Sequence, residues 1–151
     1  MLDSTDIRLL STLQTNAQAT AQELGEILNL SPSQAGRRRQ KLEAEGYILG
    51  YSANLNPALL GLSVQAFVQV SMVGHFTDLV DSFHSLVRQR AEVVSVWTMT
   101  GEADYLLRVW CVDLAALNHL VHSVFLPHKA VGRVQTRIVM DQIKQDAPLP
   151  V

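Results

Sequence analysis

The sequence predicts an α+β chain in two parts, an N-terminal winged helix-turn-helix over residues 1–51 and a ferredoxin-like βαββαβ unit over residues 64–151, joined by a linker at 52–63. Three observations predict it. Capping signals open three helices in quick succession within the first third of the chain, the apolar spacing changes beyond residue 63 from a helical period to strand alternation, and Asn54, Asn56, Pro57 and Gly61 interrupt any regular pattern between the two textures.

The first helix is expected from Asp3 to about Thr15, with Asp3 as N-cap and Ile7, Leu10 and Leu13 at helical spacing, Leu9 widening the stripe. Thr20-Ala21-Gln22-Glu23 is a capping box that opens a second helix and points Leu24, Ile27 and Leu28 inward. Only Asn29 and Leu30 separate it from the next start, where Ser31 can cap, Pro32 suits the first helical position because its missing N–H has no intrahelical partner anyway, and Gln34 can reach back to the cap amide. Gly46 supplies the left-handed residue that ends a helix, and Tyr47-Ile48-Leu49 then reads as a short strand, the start of a wing.

Helical phase sorts the third helix into faces, since successive residues turn by about 100°. Ala35, Arg39 and Leu42 fall on one side; Ser33, Arg37, Gln40, Lys41 and Ala44 fall opposite, with Gln34 and Arg38 on the flanks. A run of charge can be a solvated face and nothing more. The two helices before it give it another reading. Two short helices joined by a tight turn, the second basic and a third in support, form the motif that enters a major groove. Ser33, Gln34 and Arg37 are expected near base edges, because Arg forks onto guanine and Gln pairs with adenine; Arg38, Arg39 and Lys41 are expected nearer phosphate, and Ser31 caps the end of the helix that faces the duplex. The expected partner is double-stranded DNA.

In the second part, residues 64–73 alternate with Val64, Ala66, Val68, Val70 and Met72 on one face. Residues 77–90 return to helical spacing through Val80, Phe83 and Val87. Strands are expected at 93–100 and 104–112 around Gly101-Glu102-Ala103, a helix at 114–126 ended by Pro127, and a last strand at 131–143. The order is βαββαβ, an antiparallel sheet with both helices on one side. Such helices cover one face only. Phe67, Val73, Val109, Cys111 and either Trp97 or Trp110 are expected on the other, where a second copy would cover them as an isologous dimer.

Composition agrees with a DNA reader that works in pairs. The 151 residues carry a formal net charge of −2, so attraction to nucleic acid must come from a local patch. Residues 1–50 are near neutral, with Arg8, Arg37, Arg38, Arg39 and Lys41 facing Asp3, Asp6, Glu23, Glu26, Glu43 and Glu45. A single cysteine, Cys111, makes no intramolecular disulfide and, alternating with apolar neighbours, reads as a small core residue of a protein in a reducing compartment. No signal peptide or membrane-spanning run is visible, so the cytoplasm is the expected location and no membrane partner is expected. His119 and His122 lie three apart without a supporting carboxylate or cysteine, so no metal is expected, and no P-loop, dinucleotide fingerprint or nucleophile elbow points to a cofactor or to catalysis.

Several motifs then resemble one family. They are Leu2-Asp3 with Asp6 and Leu10, Leu30-Ser31-Pro32 followed by Arg38 and Leu42-Glu43, Glu45-Gly46-Tyr47-Ile48 with Gly50-Tyr51, Asn56-Pro57, and Gly101-Glu102-Ala103-Asp104-Tyr105-Leu106-Leu107. Over nearly its whole length the chain is similar to the Lrp/AsnC, or feast/famine, transcriptional regulators. The resemblance implies a ligand-sensing ACT-like (RAM) second unit that forms dimers and often octamers, and a small effector, usually an amino acid. It nominates Gly101, Asp104 and Tyr105 for the effector site, with Thr98 and Thr100 leading in and Arg137, Ile138 and Val139 arriving from the last strand. Asp104 would meet an ammonium and Arg137 a carboxylate, or Gly101 merely turns a hairpin and Asp104 satisfies local amides. Arg39 stands where the family usually has an aliphatic residue, and Gly36 weakens the helix interior by roughly 1 kcal/mol relative to Ala. Two other functions fit the fold: a tetrapyrrole decarboxylase-like enzyme, or an architectural DNA-binding protein without an effector.

Overall fold

A computed structural model describes residues 1–74 and 76–151. The chain divides into two compact units, one of residues 1–54 together with 143–151 and the other of residues 55–142.

The first unit holds three helices, α1 (Ser4–Thr15), α2 (Ala21–Leu28) and α3 (Pro32–Ala44), each opened by a complete capping box: Asp3 with Asp6, Thr20 with Glu23, Ser31 with Gln34. Their core is Leu9, Leu13, Ala19, Leu24, Leu28, Ala35 and Leu42. The inward register of α1 is 6, 9 and 13, so Asp6 is buried and Ile7 stays 39% exposed; Ile27 likewise faces out at 47%. The apolar spacing misplaces both isoleucines: in α1 it cannot foresee a buried carboxylate, and in α2 the inward positions are Leu24, Gly25 and Leu28. Between α2 and α3 the chain comes unusually close to itself. A Cβ on Gly25 would lie 2.7 Å from the Leu30 carbonyl oxygen, and the Leu30 N–H donates to the Gly25 carbonyl at 2.8 Å. Only glycine leaves room for that turn.

The expected wing does not form. Beyond Gly46 residues 47–57 have no strand, and the Tyr47 and Ile48 N–H groups donate back to the Leu42 carbonyl at 2.9 and 3.3 Å. Those donors finish α3 and are lost to a ladder. The segment Ile143–Val151, expected within the second unit with Ile143 ending the last strand, belongs instead to the first unit.

The second unit is a four-stranded antiparallel sheet in the order β2-β3-β1-β4, formed by β1 (Val64–Met72), β2 (Val93–Thr98), β3 (Tyr105–Cys111) and β4 (Val131–Ile138). On one side lie α4 (Thr77–Arg88) and α5 (Leu114–His119), the latter continuing as a π-helical stretch, Leu120–Phe125. Phe83, Val87, Leu117, Leu120 and Phe125 from these helices close over Ala66, Val68, Val70, Leu107 and Val109. The strands at 93–100 and 131–143 end earlier than expected, at Thr98 and Ile138.

The open face also differs from expectation. Tyr105 begins β3 pointing toward the helices, so Leu107, Val109 and Cys111 follow it inward, Val109 being 0% and Cys111 2% exposed. Burial raises the Cys111 thiol above its ordinary pKa, which keeps it protonated and unreactive. The face away from the helices carries Leu106, Arg108 and Trp110 from β3, paired in register with Gln69, Phe67 and Gln65 of β1, while Trp97 of β2 stands opposite Leu106. Both tryptophans therefore share that face.

Candidate functional site

Helix α3 displays one face and keeps another. Ser33, Gln34, Arg37, Gln40 and Lys41 are exposed. The Ser31 hydroxyl accepts from the Gln34 N–H at 3.2 Å, and the Gln34 Oε1 accepts from the Ser31 N–H at 3.0 Å, so both serve the helix start. Arg37 makes only a long contact to Ser33 Oγ, at 3.4 Å, and Lys41 pairs loosely with Glu45 at 3.8 Å. These side chains are held lightly and can turn to a duplex.

The other two arginines are engaged inside the unit. Arg38 Nη1 bonds Asp3 at 2.7 Å and Asp6 at 2.6 Å, tying α3 to the first turn of α1; the Asp6 side chain is 4% exposed. The Asp6 backbone N–H and then Arg38 hold the Asp3 carboxyl below its ordinary pKa. Arg39, expected near phosphate, donates from Nε to Glu43 Oε1 at 3.1 Å and to the Tyr51 hydroxyl at 2.9 Å, and from Nη1 to the Ala19 carbonyl at 3.0 Å. Its guanidinium lies 4.6 Å from the Tyr51 ring centre, and the Tyr51 hydroxyl donates to Glu43 at 2.7 Å. The position where the resemblance implied an aliphatic residue thus holds a cation whose donors meet a carbonyl, a carboxylate and a phenol.

In the second unit the nominated effector residues separate onto the two faces of the sheet. Thr100 and Arg137 line a cavity of about 250 Å³ at the open face, with Gln69, Ser71, Glu102 and Arg133. Thr98 and Tyr105 line another of about 340 Å³ on the helix side, with His84, Arg88, Val87 and Val96. Tyr105 is a core residue, 6% exposed; its hydroxyl lies 2.9 Å from His84 Nε2, and burial raises its pKa, so it stays protonated. It cannot reach the open-face cavity.

Asp104 bonds locally through its side chain and its backbone. Its Oδ2 accepts from the Met72 N–H at 2.7 Å, its own N–H donates to the Val70 carbonyl at 3.0 Å, and its carbonyl accepts from the Met99 N–H at 2.9 Å. These bonds pin the 99–104 turn onto β1 where the β1–β4 register shifts at Ser71/Met72. Gly101 turns that hairpin at φ +111. Ile138 pairs with Ala66 in the helix-side register, 51% exposed, and the Val139 N–H donates to the Gln65 carbonyl. Glu102, Arg133, Gln69 and Ser71 were not foreseen. Alternation from Arg137 would have found Arg133 and Gln135 on its face, since β4 pairs 133, 135 and 137 with 71, 69 and 67 of β1.

A family model described as the AsnC-type helix-turn-helix domain matches residues 2–43, and one described as the Lrp/AsnC ligand binding domain matches residues 65–149. This chain belongs to the Lrp/AsnC family. It is similar to the DNA-binding transcriptional activator DecR of Escherichia coli strain K12, 32% identical over 151 residues covering 100% of this chain and 99% of that one. It is also similar to the leucine-responsive regulatory protein of Haemophilus influenzae, 31% identical over 144 residues, with 95% and 87% covered. Among solved structures, a transcriptional regulator of Neisseria meningitidis in its L-Met complex superimposes with a TM-score of 0.95 at 39% identity, covering 99% of this chain and 97% of that one. The chain is therefore an Lrp/AsnC-type DNA-binding transcriptional regulator with a ligand-binding domain. No helix among the described residues is long and apolar enough to cross a membrane.

Proposed function

We propose that this Lrp/AsnC regulator reads its operators with Ser33, Gln34 and Arg37 of α3 while Lys41 meets phosphate, as a homodimer, and that it senses an amino acid in the open-face cavity. The observation that carries the sensing role is the cavity's lining. Arg133 and Arg137 offer paired donors to a carboxylate, Glu102 offers an anion to an ammonium, and Gln69 and Ser71 add uncharged hydrogen-bonding groups. That is the complement of a zwitterion, and the Neisseria meningitidis regulator binds L-Met. Phe67, Leu106, Trp97 and Trp110 on the same face give a second copy an apolar surface to cover, so dimerisation would also complete the cavity wall. Pairing of dimers into an octamer, a cytoplasmic location and the absence of catalysis complete the reading, supported by relatives that are transcriptional regulators.

Calorimetry with L-methionine, then with pooled amino acids, tests it. Arg137→Ala is expected to abolish the binding heat, while Arg88→Ala, in the helix-side cavity, leaves it intact. The reverse pattern would move the effector to the other face, and no heat from any amino acid would favour the architectural reading. Sedimentation of Trp110→Glu is expected to show monomers where the native chain shows dimers or larger assemblies.

A further inference from the structure

The first unit is assembled from two separate stretches of chain, so the polypeptide passes between the units twice, once after residue 54 and again after residue 142. The second passage begins from β4, the strand that carries Arg133 and Arg137. It ends at a specific contact. The side-chain amide of Gln14 on α1 holds both backbone groups of Leu149: its Oε1 accepts from the Leu149 N–H at 2.6 Å, and its Nε2 donates to the Leu149 carbonyl at 3.1 Å. A glutamine amide used this way imitates a neighbouring strand. Leu149 and Val151 also line a cavity of about 440 Å³ with Leu10, Leu13, Ile48 and Tyr51.

Tyr51 connects this surface to the reading helix, because its hydroxyl is fixed by Glu43 and Arg39 of α3. Leu149 remains 73% exposed, so its own hold on the first unit comes from its backbone, through the Gln14 amide. We propose that residues 143–151 are a strap: they dock through Leu149 on a surface made by Gln14 and the 47–51 segment, giving the DNA-binding unit a second covalent tie that restricts its motion and strengthens operator binding. A unit on two tethers has less orientational freedom to lose on docking than a unit on one, and the strap, already linked to its surface, needs only a weak contact to stay seated.

The test uses the full chain in four forms, native, Gln14→Ala, Leu149→Pro and the double variant, on a duplex that the native protein selects from random sequence. Leu149→Pro deletes the N–H donor and leaves Gln14 in place. Hydrogen exchange of the Leu149 amide in the native chain is expected to be slower than in an unstructured peptide, and Gln14→Ala is expected to remove the protection. Each single variant should weaken operator binding roughly three- to tenfold. The double variant should be no weaker than either, with thermal midpoints and the slope of affinity against salt unchanged. An unprotected Leu149 amide in the native chain would overturn the proposal. So would unchanged affinity once protection is lost, independent losses that multiply in the double variant, or a reduced salt slope, which would mark direct phosphate contact.

Discussion

Arg37 and Arg38 are neighbours in the chain with opposite employment, and the contrast extends along both sides of α3. On the outer side Ser33, Arg37 and Lys41 are exposed and make only long contacts with their own helix. On the inner side Arg38 and Arg39 are bonded to groups from three other segments: Asp3 and Asp6 on and before α1, Ala19 before α2, and Tyr51 after α3. The unit's apolar core is small, and its inner arginines add polar ties between segments that the core already brings together. The basic run of α3 is therefore divided by helical phase, and in the proposed function the outer side is the one that meets DNA.

Mutations that exchange these functions would break the comparison. Arg38→Ala should have the largest effect, a loss of about 2 kcal/mol in stability read by urea unfolding, because it leaves the buried Asp6 carboxylate without its cation. The folded fraction should keep its ratio of specific to random DNA binding. Gly36→Ala sharpens the contrast from the other direction. A Cβ there would meet only Ala21 Cβ at 3.9 Å, an ordinary contact, so the substitution should raise stability by about 0.5–1 kcal/mol. Lys41→Ala should leave the urea midpoint unchanged and weaken all sequences alike, lowering the salt slope by about one.

The smallest effect expected is on pH. Asp3 is depressed by the Asp6 N–H and Arg38, and Glu43 by Tyr51 and Arg39, so both carry fewer protons folded than unfolded. Their contribution is present above the ordinary carboxylate range and is lost as pH falls through the depressed folded values, at about pH 4 and below. Both groups are exposed, so the slope is shallow. Urea midpoints measured across that window should fall less steeply for Arg38→Ala than for the native chain.

Local signals were the legible ones. The capping boxes of α2 and α3 and the Asp3 N-cap of α1 were readable because each is a bond between residues three apart, and the alternation of β1 because one of its faces is buried. The register of α1 was not readable, since its buried Asp6 answers an arginine 32 positions away. The wing failed for a local reason: Tyr47 and Ile48 return their N–H groups to Leu42 around Gly46, so the helix stop that was read correctly takes the donors a strand would use. The nominated effector residues were legible as a neighbourhood, and their division between the two faces of the sheet was not. Thr98, Tyr105 and Arg137 are all near the turn, and only the pleat decides that the first two face the helices and the third the open side. Gln14 carried no signal at all, because its partner is the backbone of Leu149.

The division of α3 is tested most directly by fluorescence anisotropy at one stated salt concentration, comparing native, Arg37→Ala and Arg38→Ala chains on a selected operator and on its scrambled duplex. The specific-to-scrambled affinity ratio should fall by roughly 10- to 100-fold for Arg37→Ala, about 1–3 kcal/mol, and hold for the folded fraction of Arg38→Ala. A ratio that survives Arg37→Ala and collapses with Arg38→Ala would contradict the assignment of the outer face as the reader.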